Sequence, residues 1–286
     1  MLKGDRMSSQ DVPAGRLTSD IPERVGEPAS FDTTVSHPAR TYNYWLGGKD
    51  NYEADRVIGD QVMASVPAIR QIARANRTFL RRTVEYLAGE AGIRQFLDIG
   101  TGLPTADNTH EVAQRVAPDS RIVYVDNDPI VLAHARALLD SAPGGATAYI
   151  EADARDPETI LREAAATLDF SQPVAVMVVA VLHFIPDSDD PARVISRLVD
   201  GIVPGSYLTI SASTTDIDTE RMTQAASEFN ARRVAAQFHP RPRAEISRFF
   251  AGVDLIDPGL VPVDQWRAPA EPATAIPMYA GVGRKP

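Results

Sequence analysis

Three Asp-Pro pairs constrain the fold of this chain most. Asp128-Pro129, Asp156-Pro157 and Asp190-Pro191 each follow a short apolar run. An acid in that place caps a helix with its side-chain oxygen, and proline fits the first helical turn, where its missing N–H is not needed. Each junction therefore reads as a strand followed by a helix. The apolar runs lie at 95–99, 121–125, 147–151, 174–180 and 205–211. They are rich in Val, Ile and Leu and show little period-2 alternation, which points to strands covered on both faces. A strand-to-strand repeat of about 27 residues calls for parallel strands joined by right-handed helical crossovers. Asn108 with Glu111 three residues later adds a capping box at one more helix start. The expected architecture is a doubly wound α/β sheet.

The flanks extend this reading. Between Arg56 and Gly92, apolar residues including Ile69, Ile72, Phe79, Leu80, Val84 and Leu87 recur at threes and fours, a helical pattern that Gly89 or Gly92 would stop. Further helices are expected at 219–232 and 243–251, the second ended by Gly252. "VDLIDPGLVPVDQW" and "MYAGVGRK" read as two closing strands of a hairpin, which brings the mainly parallel sheet to seven strands. Three segments result. Residues 1–36 are polar and rich in Pro, Ser, Asp and Glu, as in a disordered tail; 37–92 form a helical addition or lid; 93–286 form the main domain.

Composition narrows the function. The net charge of −9 and pI of about 5.1 disfavour a nucleic-acid partner, whose phosphates an acidic surface repels. With no cysteine, the chain has no disulfide, thiolate metal site or cysteine nucleophile, and a cytoplasmic location is expected. The histidines at 37, 110, 134, 183 and 239 show no ligand spacing, so no metal is expected. The N-terminal sequence lacks the apolar segment of a signal peptide, and the longest apolar run, "VAVMVVAVLHFI", falls short of the roughly 20 residues of a membrane span.

The stretch "FLDIGTGLPT", residues 96–105, carries the chemistry. It ends a strand in a tight turn, on the edge where doubly wound sheets bind ligands. A dinucleotide site would need a third glycine where Thr105 stands, and Asp98 is a poor neighbour for two phosphates. That carboxylate suits a ligand with positive charge, such as S-adenosylmethionine. Asp98 and the amides of Gly100, Thr101 and Gly102 could hold its methionine end. Asp126, beside Asn127, ends the next strand 28 residues later, where a carboxylate can accept both ribose hydroxyls. Asp153 and the Ala154 amide follow the third strand, in reach of an adenine. Each acid alone could instead cap a strand end or a helix. A nicotinamide-dependent oxidoreductase and a non-catalytic S-adenosylmethionine-binding protein remain as alternatives.

These segments resemble the class I S-adenosylmethionine-dependent methyltransferases: "LDIGTG" their first motif, Asp126 the acid of their second, "EADAR" their adenine motif and "AVLHFIPD" their fourth strand end. Pro104 departs from the glycine that many of these enzymes carry. "ARTYNYWLGGKDNY", "DIGTGLPTADNTHEVAQ" and "VYVDNDPIVLAHARALL" are together similar to one actinobacterial S-adenosyl methyltransferase family, formerly a domain of unknown function, over about residues 30–284. The resemblance implies a Rossmann-like fold and S-adenosylmethionine as cofactor, with no settled methyl acceptor; a small molecule is the expected partner.

Catalytic candidates are few. His183, just past the fourth strand, is the candidate base, since an ordinary histidine titrates near neutrality; packing against the cofactor is its competing role. Arg40, Tyr42, Asn43, Tyr44, Trp45, Lys49 and Tyr52 crowd one short stretch, and Lys49 is one of three lysines among 29 basic residues. This stretch is expected to act as a lid and line the acceptor pocket, or else to pack on the sheet edge. "DSDD" at 187–190 reads as a solvated helix start and "HPRPR" at 239–243 as a solvated loop.

Overall fold

Strand β1 (Gln95–Ile99) is buried along its whole length, and the sheet is built outward from it. The computed structural model describes residues 32–138, 144–232, 234–270 and 275–286. Most of the expected tail, residues 1–31, lies outside the described residues. β1 pairs in parallel with β2 (Arg121–Asp126) on one side and with β4 (Ala175–Val179) on the other. β3 (Ala146–Glu151) lies outside β2, and β5 (Tyr207–Ser213) outside β4. β8 (Met278–Arg284) then adds antiparallel to β5, giving the order β3-β2-β1-β4-β5-β8-β6.

Among the described residues the sheet has eight strands, where seven are expected. The segment expected to form one closing strand splits into β6 (Asp254–Leu255) and β7 (Val261–Pro262), which both pair with β8. The cause is local. Pro258 has no N–H for a ladder, and Gly259 sits at φ 84, donating its amide back to Ile256 in a turn.

The helix starts follow the capping logic. Asn108 and Glu111 form the capping box of α4 (Thr109–Val116). Asp128 accepts from the Ile130 amide at the head of α5 (Pro129–Leu138). Asp156 and Asp190 accept from Thr159 and Arg193 at the heads of α6 (Pro157–Ala164) and α7 (Pro191–Asp200). Side chains then alternate between two cores. Phe96, Tyr124 and Met177 face one core, which α4 joins through Val112. Leu97, Val123 and Val178 face the other, filled by Ile160, Ile195 and Leu198 of α6 and α7. Apolar strands covered on both faces are the reason no period of 2 is visible in the sequence.

The C-terminal helices also match, as α8 (Thr219–Asn230) and as α9 (Arg243–Ile246) continued by a 3₁₀ turn to Phe250. At the N-terminus the helical pattern divides at Pro67 into α2 (Glu53–Ser65) and α3 (Ile69–Gly89). The aromatic stretch before them, which shows no period, forms α1 (Pro38–Leu46). His37 caps it, and Gly47 ends it at φ 86. Its buried residues, Arg40, Thr41 and Asn43, are polar, so no apolar stripe announces it.

Arg40 anchors this addition to the sheet domain. Its Nε lies 3.8 Å from Asp55 Oδ1 of α2 and 3.4 Å from Asp128 Oδ2 at the head of α5, and its Nη2 donates to the Val35 carbonyl at 3.0 Å. All three charged side chains are buried. Removing one member of a buried ion group strands its partners without compensation. Arg40→Met should lower unfolding stability by about 3–5 kcal/mol, read from urea denaturation.

Candidate functional site

The turn after β1 is held by its neighbours. Gly100 sits at φ 70 and donates its amide to the Val125 carbonyl at 2.8 Å. A Cβ on Gly100 would lie 2.3 Å from Cγ2 of Val181, in the turn after β4. Gly102, at φ 67, donates to Oδ2 of Asp126 at 2.8 Å, while Oδ1 of Asp126 accepts from the Asp128 amide at 2.9 Å. The ends of β1, β2 and β3 thus meet at the edge where the chain reverses direction across the sheet.

A cavity of 610 Å³ opens there. Asp98, Gly100, Thr101, Gly102, Asp126, Asn127, Asp153 and Ala154 all line it, together with Tyr42, Asn43, Trp45 and His183. Arg40, Tyr44 and Lys49 do not. Arg40 is spent on the buried ion group described above. Tyr44 turns outward, donating its hydroxyl to Asp60 at 2.7 Å, with Arg70 over its ring. Lys49 is exposed in the connection from α1 to α2. The structure does not bring these three residues to the cavity wall.

Residues 24–286 match the S-adenosyl methyltransferase family. The chain belongs to that family. A DUF574 family protein from Streptomyces avermitilis is 46% identical, with a TM-score of 0.85 over 89% of this chain and 99% of that one. A candidate methyltransferase from Thermobifida fusca is 42% identical, with a TM-score of 0.82 over 91% and 99%. No curated protein matches the sequence. The cofactor of this methyltransferase is S-adenosylmethionine, and its fold is the Rossmann-like sheet described above. Among the described residues no helix is long and apolar enough to cross a membrane, and no group of three or more His, Cys, Asp or Glu could hold a metal.

The three acids of the methyltransferase differ in environment. Burial pushes Asp98 up to about 6, against a hydrogen bond from Thr109 Oγ1 at 2.6 Å. Burial also raises Asp126, although two amides bind its oxygens. Asp153 is lowered, because Arg155 Nε and Nη2 grip its carboxylate at 2.9 and 2.5 Å. Arg155 reaches on to Asp189, at 2.9 Å, tying the ends of β3 and β4 together.

His183 does not meet the needs of a base. It is almost fully buried, and burial, helped by Arg241, pushes it down to about 3. Its Nδ1 accepts from the Ser213 amide at 3.3 Å, which leaves the proton of the neutral ring on Nε2. The ring is a hydrogen-bond donor at neutral pH, packed against Phe184 and Phe238. The "HPRPR" run is likewise not a solvated loop. Arg241 is buried and clamps the turn after β4, donating to the Leu182 and Ile185 carbonyls, each at 2.7 Å, and to Asp187.

Two features of the site escaped the sequence reading. Ala180, after β4, holds φ 61, costly for a residue with a Cβ. Its amide is held by the Ser211 carbonyl and hydroxyl at 3.1 and 3.0 Å, and Ser211 Oγ donates to Asn76 Oδ1 at 2.6 Å. Asn76 Nδ2 donates to the Tyr42 hydroxyl at 3.1 Å, which itself donates to the Ala73 carbonyl. The available signal was Asn76 itself, a polar residue three after Ala73 and four before Leu80 on the buried stripe of α3. The second feature is the apolar extension of the cavity beneath α2, α3 and α8.

The raised Asp98 has a cost with a definite sign. The folded chain holds this proton more tightly than the unfolded chain, so the group's stabilising contribution falls as pH rises from the ordinary carboxylate range of about 4 to about 6. Asp98→Asn keeps an acceptor for Thr109 and removes that cost. Thermal unfolding of the variant should rise by several degrees at pH 7.5, at roughly 2–4 °C per kcal/mol, and by much less at pH 4.5.

Proposed function

We propose that this methyltransferase holds S-adenosylmethionine through the three strand-end acids and passes its methyl group to a small molecule. The observation that carries this reading is that Asp98, Asp126 and Asp153, from adjacent strand ends, line one cavity with the bare backbone of Gly100. Asp98 and the amides of Gly100, Thr101 and Gly102 would take the methionine end. Asp126, with Asn127, would take the ribose hydroxyls through the lone pairs its two amide partners leave free. The Ala154 amide would meet the adenine, with Asp153 sharing its carboxylate between Arg155 and the base. The buried Asp98 fits a cationic ligand, since a bound ammonium would supply a counter-charge in contact, in addition to the field of Arg77.

When bound, S-adenosylmethionine supplies a methyl carbon already activated by a sulfonium. The chain's own part is to orient the acceptor and exclude water, for which α1, carrying Tyr42 and Asn43, roofs the cavity. His183 serves as a fixed donor in place of a base. A cytoplasmic location accords with a chain that has no cysteine.

Calorimetric titration tests the assignment. S-adenosylmethionine and S-adenosylhomocysteine should bind, NAD should not, and Asp126→Ala should weaken both adenosyl ligands by the roughly 1.5–3 kcal/mol of a charge-assisted contact. NAD binding, or an unaffected Asp126→Ala, would overturn it. Affinity for the cationic cofactor should also fall below pH about 6, as Asp98 takes up its proton, and be flat above pH 7. Asp98→Asn should abolish that dependence.

A further inference from the structure

We infer that the apolar extension of the cavity is the acceptor chamber, and that it takes an uncharged, mainly apolar molecule bearing a hydrogen-bond-accepting oxygen. This rests on the methyl-transfer reading and gives the class of the unknown acceptor.

The cavity has two chemically distinct halves. Among its described lining residues, the acids and Arg155 belong to the ends of β1–β3, and His37 belongs to the loop before α1. Arg77, on α3, turns its guanidinium to the Ala106 and Asp107 carbonyls beside the β1 turn, at 3.0 and 2.9 Å. The other half is lined by Val62, Val66, Ile69, Met222, Phe229 and Phe238, and α2 and α8 contribute no charged side chain to it. A ligand charge placed there would lose its water and find no partner.

Asn76 and the Tyr42 hydroxyl, beside this half, bind each other, Ser211 and Ala73. Ser213 and Gln237 are further uncharged polar residues of the wall. His183 stands out among them. It lines the cavity, its Nδ1 is taken by the Ser213 amide, and its depressed basicity keeps the ring neutral. Its Nε2–H is an uncharged donor against an apolar wall, a pairing that selects a carbonyl or ether oxygen on an otherwise apolar frame. The methyl group goes to a separate neutral nucleophile of the same molecule, a hydroxyl or thiol at the cofactor side, whose proton leaves to solvent. A volume of 610 Å³ for the whole cavity is in the range of sites for drug-sized ligands, about 300–1,000 Å³.

A matched series of probes tests the chamber on the full chain, by calorimetry with S-adenosylhomocysteine present. The probes are 2-acetylnaphthalene, its hydrocarbon counterpart 2-ethylnaphthalene, anionic 2-naphthoate and cationic 2-naphthylmethylammonium. The neutral ketone should bind at least tenfold tighter than either ion. It should exceed the hydrocarbon by roughly fivefold, a margin that His183→Phe removes. Ala225→Phe, which fills the chamber from α8, should abolish ketone binding and leave S-adenosylhomocysteine affinity within twofold; Met222→Trp serves the same purpose if that variant does not fold. If S-adenosylhomocysteine binds but the ions match the ketone, or no probe binds, the chamber inference is wrong and the cofactor reading stands. If S-adenosylhomocysteine itself fails to bind, both fall.

Discussion

The site depends on the absence of one atom. Gly100 has no Cβ, and the turn after β1 therefore lies directly against Val181 in the turn after β4. These are the two strands between which the chain reverses its direction across the sheet. An open α/β sheet has its crevice at such a point because the two crossovers leave on opposite sides. How near the two turns approach decides how much backbone a ligand can reach. With a side chain at 100 the turns would separate, and the amides of 100–102 would move from the acids at the ends of β2 and β3.

Around that contact the molecule accepts unfavourable terms. Asp98 is buried with Thr109 as its hydrogen-bond donor, and the charge of Arg77 only partly offsets its burial. Ala180 holds a left-handed backbone, and Asp126 is buried with only amides to bind it. Each is disfavoured in isolation, and all lie at one end of the sheet. Strain and unpaired charge gathered in one place mark a surface prepared for a ligand rather than for stability. The buried Arg40 group and the two apolar cores support the rest of the fold.

Much of this was legible in the sequence because it obeys local rules. Asp-Pro pairs cap helices wherever they stand, and apolar runs between them become covered strands, so β1 to β5 fall within two residues of expectation at either end. The three acids that line the cavity were locatable for the same reason, since they sit at strand ends that the apolar runs mark. What was not legible depends on distant contacts. α1 has no apolar stripe because its inward face is polar and meets Asp55 of the next helix and Asp128, which lies far along the chain. The split of the closing strand into β6 and β7 is the exception, since Pro258 and Gly259 break it locally. The basicity of His183 is set by burial and by Arg241, 58 positions away in sequence and invisible to any local pattern. The place of His183 just past β4 follows the apolar run, whereas its burial has no local signal.

The hydrogen-bonded chain from Ala180 through Ser211 and Asn76 to Tyr42 joins three parts of the molecule that the sequence keeps far apart. It begins at the strained backbone after β4, passes through β5 and α3, and ends on the roof helix. Floor and roof are thereby one mechanical unit. A displacement of α1 would have to stretch or break these directional bonds, whereas the neighbouring apolar wall is joined to the frame by packing. The backbone after β4 and the helix at the cavity's edge thus belong to one hydrogen-bonded frame, while the wall beside them is held by packing, which has no direction.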